Sequence, residues 1–495
     1  MWSEHGPTIK LTNMSQDCFR CLNRRFLLLG TSVVLLVFCA APLAAAAPDA
    51  LKAGASAVKI TPPVGINMAG YYFDRAAEGT HDDLYSKALV IENGDVRAAF
   101  VTLDLISTTR AMVEAARTEI ERATGIPASH VMISATHAHT GPVLAGRTAR
   151  ETAQGAAKDL TQRYTGDLPK LIAESVRSAA GRMASARALA AIGREEGLSF
   201  NRRFFMRDGA VGWNPGKLNT NIVKPAGPID PDVGVVYFDS GLTNPVATYV
   251  NFAMHPDTVG GLRFSADYPY TLARLLGEYK GPEMVTVFAN GTCGNINHVD
   301  VKWAARQSGH AEAARIGTVL AAAVLQTYKQ LQPVKLGPLR SRSEMVKLAL
   351  PEIKRGDVER ARAIAVRYGT KDEPTFLEKV EAFKVLDVAA REGKPHEVEV
   401  QVIALGPDLA WVSLPGEIFV ELGLAIKKAS PFRYTMIAEL ANGSIGYIPD
   451  HKAYAEGNYE PISARCAAGS GERLAETAVT LLKELHAANI GSTAR

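Results

Sequence analysis

The sequence predicts an α/β fold with mixed, partly antiparallel sheets flanked by helices, in a single large domain. Three observations predict it. Apolar runs of strand length recur and are paired by tight turns. Segments with apolar residues at helical spacing separate those pairs. Strands and helices do not alternate strictly, which argues for antiparallel pairing within the sheets. The chain has 495 residues, 47% hydrophobic and 21% charged. Length alone would allow several domains. No Ser-, Gly- or Pro-rich linker divides residues 48–495, and no internal repeat is visible.

The first 47 residues predict a cleaved signal peptide. Arg24 and Arg25 precede the apolar run from Phe26 to Phe38, and small residues follow at 44–47. That order is a positive region, a hydrophobic region and a cleavage site. The leading region is long, which makes Met14 a candidate start. The run is short for a membrane span, though an uncleaved anchor stays open. A secreted or periplasmic location is expected. Cleavage would change the formal charge from +4 to +2, too little for a nucleic-acid footprint. No obligate protein partner is evident. Cys293 and Cys466 would remain. Whether they pair in an oxidising compartment is open.

Leu84–Glu92 and Val96–Leu105 read as strands joined by Asn93-Gly94, a hairpin signal. Ala111–Thr124 reads as an amphipathic helix ended by Gly125 and Pro127. A strand then leads into His137, a helix covers Leu168–Met183, and Ala188–Gly193 is a strand. Val235–Phe238 and Val246–Phe252 make a second pair, followed by a helix over Tyr268–Tyr279 and a strand over Met284–Ala289. Ala311–Leu331 carries one apolar helical face. Residues 350–395 are charged and helical, expected to project from the sheet or cover a site. Val398–Ile403 and Leu409–Leu414 form another hairpin, and a strand over Tyr434–Leu440 and a helix over Glu472–Leu485 close the fold.

Four apolar strands end in residues fit for chemistry. The first stops at Thr136-His137-Ala138-His139-Thr140-Gly141-Pro142. Alternation would put His137 and His139 on one side of an extended backbone, as metal ligands or as ordinary loop histidines. The second strand ends at His255-Pro256 and the third at the loop Asn290 to Asn297. The fourth ends in Pro415-Gly416-Glu417, where Glu417 would open a helix. It would serve there as a complement to the helix dipole or as a charged ligand beside two histidines.

These segments, with Gly54 to Pro62, Gly79-Thr80-His81, Asn201-Arg202, Phe264 to Asp267, Ala441 to Tyr447 and Tyr454 to Glu460, resemble the neutral ceramidase family. Its members are secreted zinc amidases that split ceramide into sphingosine and fatty acid. The resemblance implies a Zn2+ site made by His137, His255, Glu417 and Tyr447. It implies that His139 transfers protons or contacts the carbonyl, that Arg202 helps bind substrate or oxyanion, and that Tyr459 stands at the rim. His81, Asp104 and Asp267 would be supporting groups. The implied partner is a lipid or other N-acyl small molecule, met at a membrane surface if it is ceramide.

Two features depart from the family. Its loop serine falls on Asn297, whose amide is no nucleophile but can donate a hydrogen bond to an oxyanion. The small β-sandwich domain that follows in the ceramidases has no counterpart here. Three other readings therefore stand beside the ceramidase one. A deacylase or esterase of N-acyl sugars, peptides or esters would use the same site. A metal-dependent amidohydrolase barrel also carries His-x-His at a strand end. An inactive secreted binding protein would explain the lost serine.

Overall fold

Three sheets, each with the same strand plan, surround one shared core. The structure is a computed structural model that describes residues 51–493, apart from Arg147, Leu242 and Thr243. The expected signal peptide at 1–47 lies outside the described residues. Among the described residues, no helix is long and apolar enough to cross a membrane.

The first sheet contains β1 (Lys52–Lys59), β2 (Tyr85–Asn93), β3 (Val96–Leu103) and β4 (Val131–Ala135). β1, β2 and β3 are antiparallel in turn, and β4 lies parallel to β3. Helix α1 (Arg110–Thr124) makes the crossover, and α2 (Asp159–Gly181) follows. Thr109 caps α1 by accepting from the Met112 amide, and Gly125 ends it at φ 72°. A side chain other than Gly or Asn would be strained there.

The second sheet repeats this plan. It contains β5 (Arg187–Arg194), β6 (Asp232–Asp239), β7 (Pro245–Phe252) and β8 (Val285–Asn290), with α3 (Tyr268–Lys280) as the crossover and α4 (His310–Tyr328) after it. β5, β6 and β7 are antiparallel, and β8 is parallel to β7. The third sheet contains β9 (Leu339–Leu348), β10 (His396–Leu405), β11 (Leu409–Ser413) and β12 (Tyr434–Ala438). Again the last pair alone is parallel. Its crossover is α7 (Val420–Ala429), its closing helix is α8 (Ser470–Thr493), and the hairpin of α5 (Arg355–Ala365) and α6 (Phe376–Ala389) is inserted between β9 and β10.

The chain thus holds three copies of one topology, where the sequence shows no repeat. The strands alternate accordingly. Val90, Val101 and Ile133 pack with α1 and α2, while Leu89, Phe100 and Met132 face the shared core. Each sheet gives that core an aromatic from its third strand. Phe100 lies 4.5 Å from Trp411 and 6.2 Å from Tyr249, ring centre to ring centre. Phe100→Leu keeps most of the volume but loses both ring contacts. It is expected to cost about 1–2 kcal/mol, read as a lower urea midpoint at unchanged slope.

Three elements of the sheets and their helices differ from the sequence reading, and β1 at Lys52–Lys59 had no counterpart in it. α2 starts at Asp159, not Leu168, and runs through Pro169. β9 was not foreseen, because Leu339–Leu348 is largely exposed and pairs on one side only. An edge strand needs few apolar residues, so it leaves no alternating pattern.

The three units are stitched together where their parallel strands end. The Asn251 amide group donates to the Ile437 carbonyl (2.8 Å) and its oxygen accepts from the Ile437 N–H (3.0 Å). Ala135 N–H donates to Leu440 O at 3.2 Å, and Glu439 N–H donates to Asn290 O at 3.0 Å. Side chains emerging here are placed by all three sheets at once.

Candidate metal centre

His137 leaves the end of β4 in a left-handed conformation, φ 74°. For a residue other than glycine this is strained, and such strain clusters at functional sites. The chain is therefore not extended through the His-x-His segment, as alternation had suggested. A turn brings the two rings together instead, 4.7 Å apart and nearly perpendicular. Both are buried. His137 N–H donates to Leu105 O (3.0 Å), which fixes the turn.

The imidazole tautomers follow from their partners. His137 Nδ1 lies 2.7 Å from Ile106 O, and His255 Nδ1 lies 2.8 Å from Cys293 O and 3.0 Å from Ile296 O. A carbonyl can only accept, so Nδ1 carries the proton in both rings. Each Nε2 then presents a lone pair. Both lone pairs face one carboxylate oxygen. Glu417 Oε2 is 3.4 Å from His137 Nε2 and 3.3 Å from His255 Nε2. It is buried and has no hydrogen-bond donor. Burial holds His255 down to about 4, so no proton on that ring relieves the crowding near neutrality.

Two imidazole nitrogens and a carboxylate oxygen gathered in a buried gap call for a cation, either a metal ion or, in its absence, the proton that Glu417 favours on His137 against the cost of burial. Ligands held tetrahedrally at zinc distances are separated by about 3.3 Å, the spacing seen here. The residues present therefore fit a metal of this kind. His139 Nε2 is 3.2 Å from His137 Nε2, and the ligand atoms of His137, His139 and His255 lie within 4.8 Å of one another.

Glu417 does not open a helix. Glu417–Ile418 pairs in parallel with Tyr447–Ile448, and α7 begins only at Val420. The dipole reading of Glu417 is thereby replaced by a two-strand bridge that sets Glu417 beside Tyr447. Tyr447 Oη is 3.4 Å from His255 Nε2 and accepts from Arg202 Nη2 at 3.0 Å.

Arg202 is itself fully engaged. Its Nε donates to Glu460 Oε1 (2.8 Å), and Nη2 also donates to Gly294 O (2.7 Å). It touches Tyr447 but does not line the cavity above the site. Asn297 does not line it either. Its amide donates to Asn214 Oδ1 at 3.0 Å, and its oxygen accepts from Val299 N–H at 3.0 Å. Tyr459 does line the cavity, 5.3 Å from Tyr447 and 4.5 Å from Trp213 between ring centres. The other named groups bond elsewhere. Asp267 caps α3 and accepts from Val259 N–H, Asp104 accepts from Tyr85 N–H and pairs with Lys87, and His81 stacks on His310 at 3.6 Å.

Several residues of the site were not foreseen. Glu439 is fully buried at the end of β12 and receives Ile418 N–H (2.8 Å), Cys293 N–H (3.1 Å) and the Cys293 thiol (2.9 Å). It ties the Glu417 strand to the loop that holds His255. Burial pushes its carboxyl up to about 8. Its signal was available, as an acidic residue ending an apolar strand. Cys293 and Cys466 are both free and buried, so the open pairing resolves to none.

Gly70 also went unmarked. It sits at φ +99°, and a Cβ there would stand 2.8 Å from His139 Nδ1. Gly70→Ala must push the ring aside. If the site is that of a metal-dependent hydrolase, turnover falls about 10- to 100-fold with metal content unchanged, checked by kcat alongside elemental analysis.

The cavity above the site holds about 690 Å3 and opens between His137, Glu417 and Tyr447 on one side and α6 on the other. The hairpin of α5 and α6 thus covers the site. Phe376 at the start of α6 packs on Trp213 (5.3 Å) and Tyr459 (5.2 Å).

Residues 51–257 match the family described as neutral/alkaline non-lysosomal ceramidase, N-terminal. No curated protein matches the chain by sequence. Among solved structures, neutral ceramidase from Pseudomonas aeruginosa superposes with a TM-score of 0.70 at 20% identity, covering 89% of this chain and 75% of that one. A structure described as ceramidase complexed with C2 gives a TM-score of 0.70 at 19% identity, over 88% and 75%. The chain is therefore similar to the neutral/alkaline non-lysosomal ceramidases, in sequence over residues 51–257 and in fold over the body that carries this site.

Proposed function

We propose that this protein is a zinc-dependent hydrolase of linear amide bonds, ceramidase-like, which converts an N-acyl sphingoid base and water to the free base and a fatty acid. The observation that carries the reading is the convergence of His137 Nε2, His255 Nε2 and Glu417 Oε2 at zinc-ligand spacing beneath a cavity. His137, His255, Glu417 and Tyr447 would hold the ion. Bound there, zinc supplies a Lewis acid toward an acyl carbonyl and lowers the pKa of water toward neutrality.

The chain's own groups divide the remaining work. His139 lies beside His137 with Nδ1 unpartnered, and it carries the proton from water to the leaving nitrogen. Tyr459 lines the same cavity and donates to the carbonyl oxygen or the leaving group. Arg202 acts through Tyr447, whose phenol oxygen it holds. Asn297 contributes to the oxyanion only if its bond to Asn214 is exchanged. The hairpin over the cavity keeps bulk water from the reacting groups. Residues 1–47 would direct the enzyme to the periplasm or outside the cell.

The test is hydrolysis of a short-chain fluorescent ceramide by the purified protein beside His137→Ala, with zinc counted in both. Turnover with about one zinc per chain, both lost in the variant, is the expected result. Zinc without turnover on any acyl amide or ester would leave a metal-binding protein and defeat the hydrolase reading.

A further inference from the structure

The three histidines of the site are not held alike. His137 and His255 are each oriented through Nδ1 by a backbone carbonyl. His139 is not. Its Nδ1 is buried without a hydrogen bond, and its Nε2 faces His137 Nε2 at 3.2 Å. A ring that moves a proton has to be held in place all the same. For His139 the hold must come from its backbone and from packing.

One side chain supplies both. Arg75 is buried, only 3% exposed. Its Nη2 donates to His139 O at 2.6 Å and also to Ala69 O, and its Nη1 donates to Gly261 O at 3.3 Å. The guanidinium thus joins the turn that carries His139 to the chain just before Gly70. Ala69 N–H donates to Gly141 O at 2.9 Å between the same two segments. Arg75 Cζ also lies 4.3 Å from the centre of the Tyr71 ring. That ring meets the His139 ring edge-on, 5.5 Å between centres.

The acceptors of Arg75 are all carbonyls, and among the described residues no carboxylate pairs with it. Burial holds the guanidinium down to about 10. A buried cation without an anion lowers stability, and departures of this kind gather at functional sites.

We propose that Arg75 is a positioning residue, which holds His139 at the metal centre by tying its carbonyl to that of Ala69 and by backing Tyr71 against its ring. This rests on the hydrolase reading, in which His139 carries the proton. Arg75 does not line the cavity, so it acts through His139 and not on the substrate.

The zinc-loaded protein is compared with Arg75→Gln and Arg75→Lys on the short-chain fluorescent ceramide. In Arg75→Gln, kcat is expected to fall about 30-fold, with KM and zinc content within about twofold of the parent. Arg75→Lys keeps the buried charge but not the planar fork, and it is expected to fall about 5-fold. It also serves if the glutamine variant does not fold. A raised KM with kcat kept would place Arg75 in substrate binding and overturn the inference. A double-mutant cycle with His139→Ala gives the sharper result. Arg75→Gln added to His139→Ala should cause no further loss. Losses that multiply would mean that Arg75 acts elsewhere.

A second readout needs no turnover. Amide hydrogen exchange over residues 136–143 is followed in the zinc-loaded parent and the Arg75 variants. Exchange about tenfold faster in that segment, and unchanged in the second and third sheets, supports the inference even if the parent cleaves no amide, in which case the hydrolase reading alone fails. Exchange unchanged in the segment, or faster throughout the protein, overturns the inference and leaves the hydrolase reading standing.

Discussion

Glu417→Gln is expected to abolish metal binding and turnover and to weaken the metal-free fold near neutrality. The carboxylate is the charged member of the ligand set, facing two neutral imidazoles. Outer partners of metal ligands are already worth about 10–100-fold in affinity. Loss of the charged ligand itself should exceed about a thousandfold. The stability half runs the same way. Burial alone would raise the Glu417 carboxyl, and the adjoining His137 and His255 hold it well below the usual range. A carboxylate depressed in this way adds stability above its unfolded pKa, lost as pH falls through the folded one. A neutral amide gives that contribution up. Denaturation of both proteins in a chelator, with zinc uptake measured in parallel, reads both halves. A Glu417→Gln protein as stable as the parent without metal would mean that the carboxylate gains nothing from the two histidines.

Glu460→Gln is expected to cost about 4 kcal/mol of stability and most of the activity. Glu460 is fully buried and receives Arg202 on one oxygen (2.8 Å) and Arg203 on the other (3.0 Å). Both arginines are buried, and Arg203 is 1% exposed. Neutralising the shared carboxylate leaves two guanidinium charges in a dry region with half their compensation. Arg203 keeps Glu456 at 3.1 Å and Gly457 O at 3.0 Å. Arg202 keeps only Gly294 O and Tyr447. The guanidinium that holds the Tyr447 phenol is therefore the one released. A urea midpoint close to the parent's would show that the arginines find other partners.

The features legible in the sequence were those that local pattern controls. The hairpin at Asn93-Gly94, the capped helix before Gly125, and the apolar strands that stop at His137, His255 and Glu417 all follow from periodicity and turn chemistry. So did the convergence of those strand ends, because side chains gather where parallel strands end. The features that escaped are non-local. The threefold topology leaves no repeat in sequence, since each sheet needs only apolar residues at alternating positions and not the same ones. Phe100, Tyr249 and Trp411 fill equivalent places without resembling one another. Arg202 could be matched to a binding role but not to Glu460, its partner 258 residues away. The turn at His137 was read as extended because positive φ in a histidine has no sequence signature.

The measurement that tests the central claim most directly is a zinc titration of the chelated protein, followed by hydrolysis of a short-chain N-acyl amide. Turnover should be absent at the start, rise in proportion to added zinc, level off near one zinc per chain, and never rise in Glu417→Gln. Turnover already present in the chelated protein, or restored equally in Glu417→Gln, would contradict a metal centre built on His137, His255 and Glu417.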